Sequence, residues 1–213
     1  MHKTERRWRD HYDRIARAYD WRERIWSLLW GISDTKERRK LVGTLQLKPG
    51  QRLLEVSVGT GSNLPLAAEG VGPTGRLVGL DISIGMLMQC QRKMARHRLS
   101  VDLIEGEAAQ LPVADSAFDA VLHFGAISYF DDKHKKMAID EMVRVTIPGG
   151  RIVISDVGLP PDKRKSLRSR LRLRVNPRHA DLPPMELIPP DAKELSLTWY
   201  RRDTCYLIDF VKP

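Results

Sequence analysis

The 213 residues contain only two cysteines, Cys90 and Cys205, too few for a disulfide framework and not at metal-ligand spacing. No metal site is therefore expected, and both cysteines read as small core residues. No apolar run approaches the roughly 18 residues that a membrane span requires. The opening residues 1–7 lead into no apolar signal core. Hydrophobic residues make up 42% of the chain and charged ones 30%, which excludes a disordered or fibrous protein. These absences imply a soluble domain in a reducing, cytoplasmic compartment, with enough chain to bury one core.

The net charge of +9 is unevenly placed. Residues 1–50 carry 13 Lys and Arg against 7 Asp and Glu, and residues 159–180 carry 8 against 1. The remainder carries 15 against 19, so the body is mildly acidic and two peripheral pieces hold the excess positive charge. Such a distribution suits a nucleic acid, an anionic lipid surface or an acidic substrate, and charge alone does not choose among them.

Residues 5–45 read as helical, because Trp8, Tyr12, Ile15 and Tyr19 recur on one face at a 3.6-residue period. A second apolar group follows in Trp21, Ile25, Trp26, Leu28, Leu29 and Trp30. Four of the five tryptophans fall in the first 30 residues, a density that points to a cover over a ligand as much as to packing. After the turn at Pro49-Gly50, short apolar runs alternate with helical stretches. Strands are expected at 52–56, 76–81, 101–105, 119–124 and 151–155, with helices opening near Ser62 and spanning 84–98 and 133–145. This alternation predicts an α/β fold with a parallel sheet covered on both faces. Two last runs, 195–200 and 204–211, are joined by about three residues, too few for a parallel crossover, and must form an antiparallel hairpin. The expected organisation is a helical N-terminal cover over 1–48 and a core over 49–213, with an insertion at 159–190 and a closing hairpin at 195–211.

The densest chemical signal is Glu55-Val56-Ser57-Val58-Gly59-Thr60-Gly61-Ser62-Asn63. A strand ends beside an acid, and glycines allow a ligand to approach the backbone where a helix begins. A nicotinamide-binding turn would carry a third glycine three residues after Gly61, where Leu64 stands. Glu55 would also repel a pyrophosphate but suits an ammonium or sulfonium. Asp81 ends the second strand 20 residues after Gly61, where an acid accepts hydrogen bonds from both hydroxyls of a ribose.

These residues resemble the class I S-adenosylmethionine-dependent methyltransferases, over about residues 45–158. The family's acid-x-Gly-x-Gly-x-Gly motif maps onto Glu55, Ser57, Gly59 and Gly61, with Ser57 replacing the first glycine. A serine takes similar backbone angles there unless φ must be positive. Val78-Gly79-Leu80-Asp81-Ile82-Ser83, followed by Met86, is similar to the second motif. Gly106-Glu107-Ala108 is similar to the segment that reads the adenine, with Glu107 in place of the more usual aspartate. Residues 116–121 and 144–150 also look like later motifs of the family. The segment His11 to Asp20 is similar to the N-terminal helix of the ubiquinone/menaquinone C-methyltransferase group. Residues 59–66 are similar to bacterial phospholipid N-methyltransferases.

The resemblance implies a Rossmann-like fold, with a mainly parallel seven-stranded sheet closed by the C-terminal hairpin. It implies S-adenosylmethionine as cofactor, held by Tyr19, Glu55, Ser57, Gly59, Thr60, Gly61, Asn63, Asp81, Ile82, Met86, Glu107, Ala108 and Phe124. The acceptor is expected to be a small, amphipathic molecule of quinol, lipid or amine type. A general base is needed only if the acceptor must lose a proton; His123 and Tyr129 are the candidates, with Asp156, Tyr19 and His11 also near strand ends or on the cover. Against each stands a packing or capping role, and His179 reads as a loop residue.

Residues 162–175 place Leu167, Leu171 and Val175 at i, i+4 and i+8 among basic residues, predicting a basic amphipathic helix. Its leucines are expected to be buried and its charges solvated, with peripheral contact on an anionic membrane as a further use. An RNA or DNA methyltransferase is a rival reading prompted by the sequence pI near 9.8. Phe124-Gly125-Ala126-Ile127 lacks the Asp/Asn-Pro-Pro-aromatic pattern of amino-methylating nucleic-acid enzymes, so nucleic acid is disfavoured. A non-catalytic scaffold of the same fold is the other rival, motivated by Ser57.

Overall fold

Along the central strands, alternate apolar residues serve opposite faces, and this period of two builds two cores on one sheet. In the computed structural model, which describes residues 3–29 and 34–213, one face carries Leu54, Val56, Val78, Leu80, Val121 and Ile152. The other carries Leu53, Leu77, Ala120, Leu122 and Val153.

The strands are β1 (Arg52–Val56), β2 (Arg76–Asp81), β3 (Asp102–Glu105), β4 (Phe118–Phe124), β5 (Thr146–Val157), β6 (Lys193–Tyr200) and β7 (Cys205–Val211). They lie in the order β3-β2-β1-β4-β5-β7-β6. All neighbours through β5 are parallel, and β7 runs antiparallel to both β5 and β6. The helices are α1 (Lys3–Leu29), α2 (Asp34–Thr44), α3 (Leu64–Val71), α4 (Ile84–His97), α5 (Asp132–Val145) and α6 (Leu167–Val175). Helix α5 packs Ala138, Ile139, Met142 and Val145 on the first face. Helices α2, α3 and α4 pack Leu41, Leu64, Ala67, Leu87 and Met94 on the second. The parallel order reverses between β1 and β4, and ligands bind at the carboxyl ends of strands beside such a switch point.

The closing hairpin pairs Leu197 with Ile208, as its short connection requires. Its turn takes Arg201, Arg202 and Asp203 through left-handed φ values of 52°, 56° and 61°.

Two expectations are corrected, for the fifth strand and for the basic helix. The fifth strand starts at Thr146 rather than Arg151: Phe118 of β4 pairs with Thr146 before a register break, and pairing resumes at Arg151. The helical residues within 5–45 form two helices, α1 and α2, and Trp30 lies outside the described residues. Trp21 is exposed and does not join the core. The basic helix begins at Leu167, and Leu167, Leu171 and Val175 are exposed rather than buried.

Candidate active site

The turn after β1 is where backbone conformation and residue identity meet most tightly. Ser57, Gly59 and Gly61 all have positive φ, at 58°, 56° and 73°. A Cβ on Gly61 would lie 2.5 Å from Cys90 Sγ and 3.1 Å from Leu64 Cδ1, so only hydrogen fits. A Cβ on Gly59 would meet nothing within 4 Å, because that side of the turn opens on a cleft.

Ser57 therefore occupies the conformation that the sequence reading set as its exception. A left-handed φ costs a non-glycine residue roughly 1–2 kcal/mol. Ser57→Gly recovers this, offset by roughly 0.4–1 kcal/mol for the freer unfolded chain. The expected result is a variant more stable by about 0.5 kcal/mol, read as a rise of roughly 1–2 °C in the melting temperature. An unchanged or lower melting temperature would show that Ser57 is not strained.

Asp81, at the end of β2, organises this turn. Its Oδ2 accepts the Gly59 amide at 2.8 Å and its Oδ1 accepts the Ser83 amide at 2.9 Å. Burial pushes its carboxyl up to about 6, against the pull of those amides. Glu55 is more deeply enclosed, and burial pushes it up to about 7. Asn63 donates Nδ2 to Glu55 Oε1 at 2.7 Å and accepts Arg38 Nη1 at 2.9 Å, while Glu55 Oε2 is buried with no hydrogen-bond partner. The buried Asn63 side chain thus links Arg38 to Glu55 instead of capping α3.

The cleft, with about 1070 Å³ of space counted to its open mouth, is walled by several parts of the chain. Ser57 and Gly59 come from the turn after β1, and Asp81, Ile82 and Met86 from the end of β2 and the start of α4. Glu107 and Ala108 come from the segment after β3, and Phe124, Gly125 and Tyr129 from the end of β4 and the turn beyond it. Trp8, Tyr12 and Tyr19 of α1 form the aromatic wall. Tyr12 donates to the Tyr129 hydroxyl at 2.7 Å, and the Trp8 and Tyr129 ring centres are 4.1 Å apart. Burial raises the Tyr12 and Tyr19 hydroxyls well above the ordinary tyrosine range, so both stay protonated.

Carboxylates fix α1 in this position. Asp13 accepts Ser83 Oγ at 2.6 Å and the Gly85 amide at 2.8 Å, at the start of α4. Asp20 accepts Thr60 Oγ1 and pairs with Lys93 Nζ, each at 2.6 Å. Thr60 thus serves to seat α1 on the glycine turn.

Glu55, Thr60, Gly61, Asn63 and His123 are not among the residues lining the cleft. His123 is fully buried, 6.4 Å from the Phe130 ring between centres, with Nδ1 donating to the Val56 carbonyl at 3.2 Å. Burial pushes it down to about 4 and keeps it neutral. As a candidate base it is displaced from the cleft because β4 turns its side chain under the floor. Asp156 is also buried, accepting the Ser128 and Val157 amides, and His11 packs edge-on against Trp8 and Tyr12. His179 is half-buried, outside the lining.

Sequence reasoning missed Phe130, Asp131 and His134, which also reach the cleft. Asp131 caps α5 by accepting the His134 amide, and its Oδ1 lies 2.7 Å from His134 Nδ1. An acid followed three residues later by a polar residue is a cap signal, which marks the helix start but not its proximity to a ligand.

Residues 53–150 match the profile of the family described as a methyltransferase domain. Over 152 residues the chain is 38% identical to a demethylmenaquinone methyltransferase of Renibacterium salmoninarum, which covers 70% of this chain and 58% of that protein. Over these residues the chain is similar to methyltransferases. It spans less than two thirds of the length of that relative. Two solved structures share the fold. Phosphoethanolamine N-methyltransferase 2 of Haemonchus contortus, in complex with S-adenosyl-L-methionine, has a TM-score of 0.66 at 15% identity, covering 84% of this chain and 52% of that one. Geranyl diphosphate C-methyltransferase of Streptomyces coelicolor has a TM-score of 0.65 at 14% identity, covering 84% and 79%. The Rossmann-like class I fold expected from the sequence is the one observed.

Proposed function

We propose that the cleft binds S-adenosylmethionine and that the chain transfers its methyl group to a small, amphipathic acceptor of quinol, lipid or amine type. The supporting observation is a cleft with two unlike walls. One carries a glycine turn, an acid ending β2 and Glu107; the other is an aromatic wall brought across by α1.

The chain's residues fit this cofactor. Gly59 leaves room for a ligand against the backbone, and Asp81 and Glu107 are acids placed to accept from a ribose and an adenine amino group. Glu55, with an unpartnered buried oxygen beneath the turn, takes up a negative charge more readily when a cationic ligand lies nearby, which suits such a ligand. S-adenosylmethionine would supply an already activated methyl group, so the protein's work is positioning and exclusion of water.

Residues 1–48 act in this reading as a lid, whose Trp8 and Tyr12 meet Tyr129 and with it shield the acceptor side. The Tyr129 oxygen accepts from Tyr12, so its own O–H bond can point toward the acceptor. The quinol class is supported by the 38% identity to a demethylmenaquinone methyltransferase. Lipid or amine acceptors fit the same aromatic wall. No described helix is long and apolar enough to cross a membrane. A cytoplasmic location is part of the proposal, as is contact with a membrane surface, which a distinct set of residues supports below.

Calorimetric titration with S-adenosylmethionine, S-adenosylhomocysteine and NADH tests the cofactor. The expected result is binding of the first two and not the third, followed by methylation of a quinol, phospholipid or amine in a screen. Failure to bind either sulfur ligand would favour the non-catalytic scaffold, and salt-sensitive methylation of RNA would revive the nucleic-acid reading.

A further inference from the structure

Between β5 and β6 the chain leaves the sheet and builds α6, which has no counterpart in the cleft walls described above. Residues 163–180 hold eight Lys and Arg and no Asp or Glu. Ser166 caps α6 by accepting the Ser169 amide, and Asn176 closes it by donating its amide to the Arg172 carbonyl. The helix is set so that Ser169 is buried and Leu173 half-buried, while Leu167, Leu171 and Val175 face outward. Leu167 is 83% exposed, Leu171 56% and Val175 53%, and Leu182 just beyond is 58% exposed.

Leu167, Leu171 and Val175 recur every four residues and form one strip, beside which Lys165, Arg170 and Arg174 are exposed. Aliphatic side chains turned out between cations are unfavourable in water and favourable at the boundary of acyl chains and anionic headgroups. A nucleic-acid backbone would use the cations but leave the four aliphatic side chains solvated. A protein groove would take the aliphatic strip but would require matching acids around it.

The same insertion touches the cleft. Arg178 lies 4.0 Å above the centre of the Tyr129 ring and donates Nη1 to Ser128 Oγ at 3.3 Å. Tyr129 is part of the cleft wall. A surface holding α6 would therefore sit one residue contact away from the acceptor side.

We propose that α6 and Leu182 form an interfacial surface that docks the protein on an anionic phospholipid bilayer. This rests on the reading of the acceptor as amphipathic, since such a molecule partitions into the bilayer and would enter the cleft from it. Leu167, Leu171, Val175 and Leu182 insert at the acyl boundary, and Lys165, Arg170 and Arg174 engage anionic headgroups.

The test is flotation of the full chain with vesicles of phosphatidylglycerol and phosphatidylcholine, against vesicles of phosphatidylcholine alone. The expected result is retention on the anionic vesicles that is at least roughly tenfold weaker on the neutral ones, as several cations near the surface require. Leu167→Glu with Leu171→Glu should lose about tenfold or more of this retention. S-adenosylhomocysteine binding should be unchanged, because neither residue lines the cleft. If that double variant loses ligand binding through misfolding, Arg170→Glu with Arg174→Glu carries the same test. Absence of retention, equal retention by the variants, or retention on RNA but not on vesicles would overturn the proposal. Vesicle failure with S-adenosylhomocysteine binding intact would overturn the docking surface alone. Loss of both would overturn the cofactor reading as well.

Discussion

Glu55→Gln stabilises the ligand-free protein above pH 7, relative to the parent, by about 3 kcal/mol more than it does at pH 4. Burial raises the native carboxyl to about 7, whereas an unfolded chain releases that proton near its ordinary value of 4.5. Below 4.5 both states hold the proton and pH has no effect through this group. Between 4.5 and 7 the native state binds the extra proton, so stability falls as pH rises, and above 7 the loss is complete. Glutamine removes this dependence while its side-chain oxygen can still accept from Asn63. Two neighbouring groups also titrate. Asp81, raised to about 6, loses stability with rising pH in the same sense, and His123, lowered to about 4, gains it as pH rises toward 6.5. Both are present in parent and variant; Asp81 and Glu55 repel one another, so the difference between the two pH profiles reads Glu55 together with its coupling to Asp81. Denaturant unfolding at pH 4, 6 and 8 is the measurement. Parallel profiles would show that Glu55 is not a destabilised buried acid.

Asp81→Asn weakens S-adenosylhomocysteine binding by roughly 30- to 100-fold, or about 2–3 kcal/mol. The carboxylate has two separate duties. It holds the amides of Gly59 and Ser83, so it shapes the turn against which a ligand lies. Each oxygen also has a second lone pair with which to accept a ribose hydroxyl. Asparagine can offer an oxygen to only one amide and presents an amino group to the other. One side of the turn is then released, and a charge-assisted acceptor is lost. Calorimetric titration of parent and variant reads the change, and unchanged affinity would reject the assignment of Asp81 to the ribose. The same substitution should spare vesicle binding, which depends on residues of the insertion.

The two predictions concern residues that the sequence marks for different reasons and with different success. Asp81 is legible because its position at a strand end, 20 residues after Gly61, already specifies where its carboxylate goes. Glu55 is legible as an acid in a glycine motif, but its orphan oxygen depends on Arg38, Asn63 and the packing of α2. His123 shows the opposite failure. At the end of a strand near the switch point it reads as a candidate base, yet the pleat of β4 buries it under Phe130. Leu167 and Leu171 were expected to be buried because helical aliphatic strips usually are. No strand or helix in the described residues packs over that strip, so they remain outside.

The sequence by itself determined the alternating α/β order, the glycine turn, the acids at two strand ends and the antiparallel closure. These follow from short-range rules: a period of two or 3.6, glycine's freedom at positive φ, and a connection too short for a crossover. Tertiary structure alone decided that Ser57 adopts φ +58°, that Tyr12 meets Tyr129 across 117 residues, and that Asp13 and Asp20 seat α1 on α4 and the glycine turn. Those features depend on which surfaces come together when the sheet closes, and no local pattern encodes that.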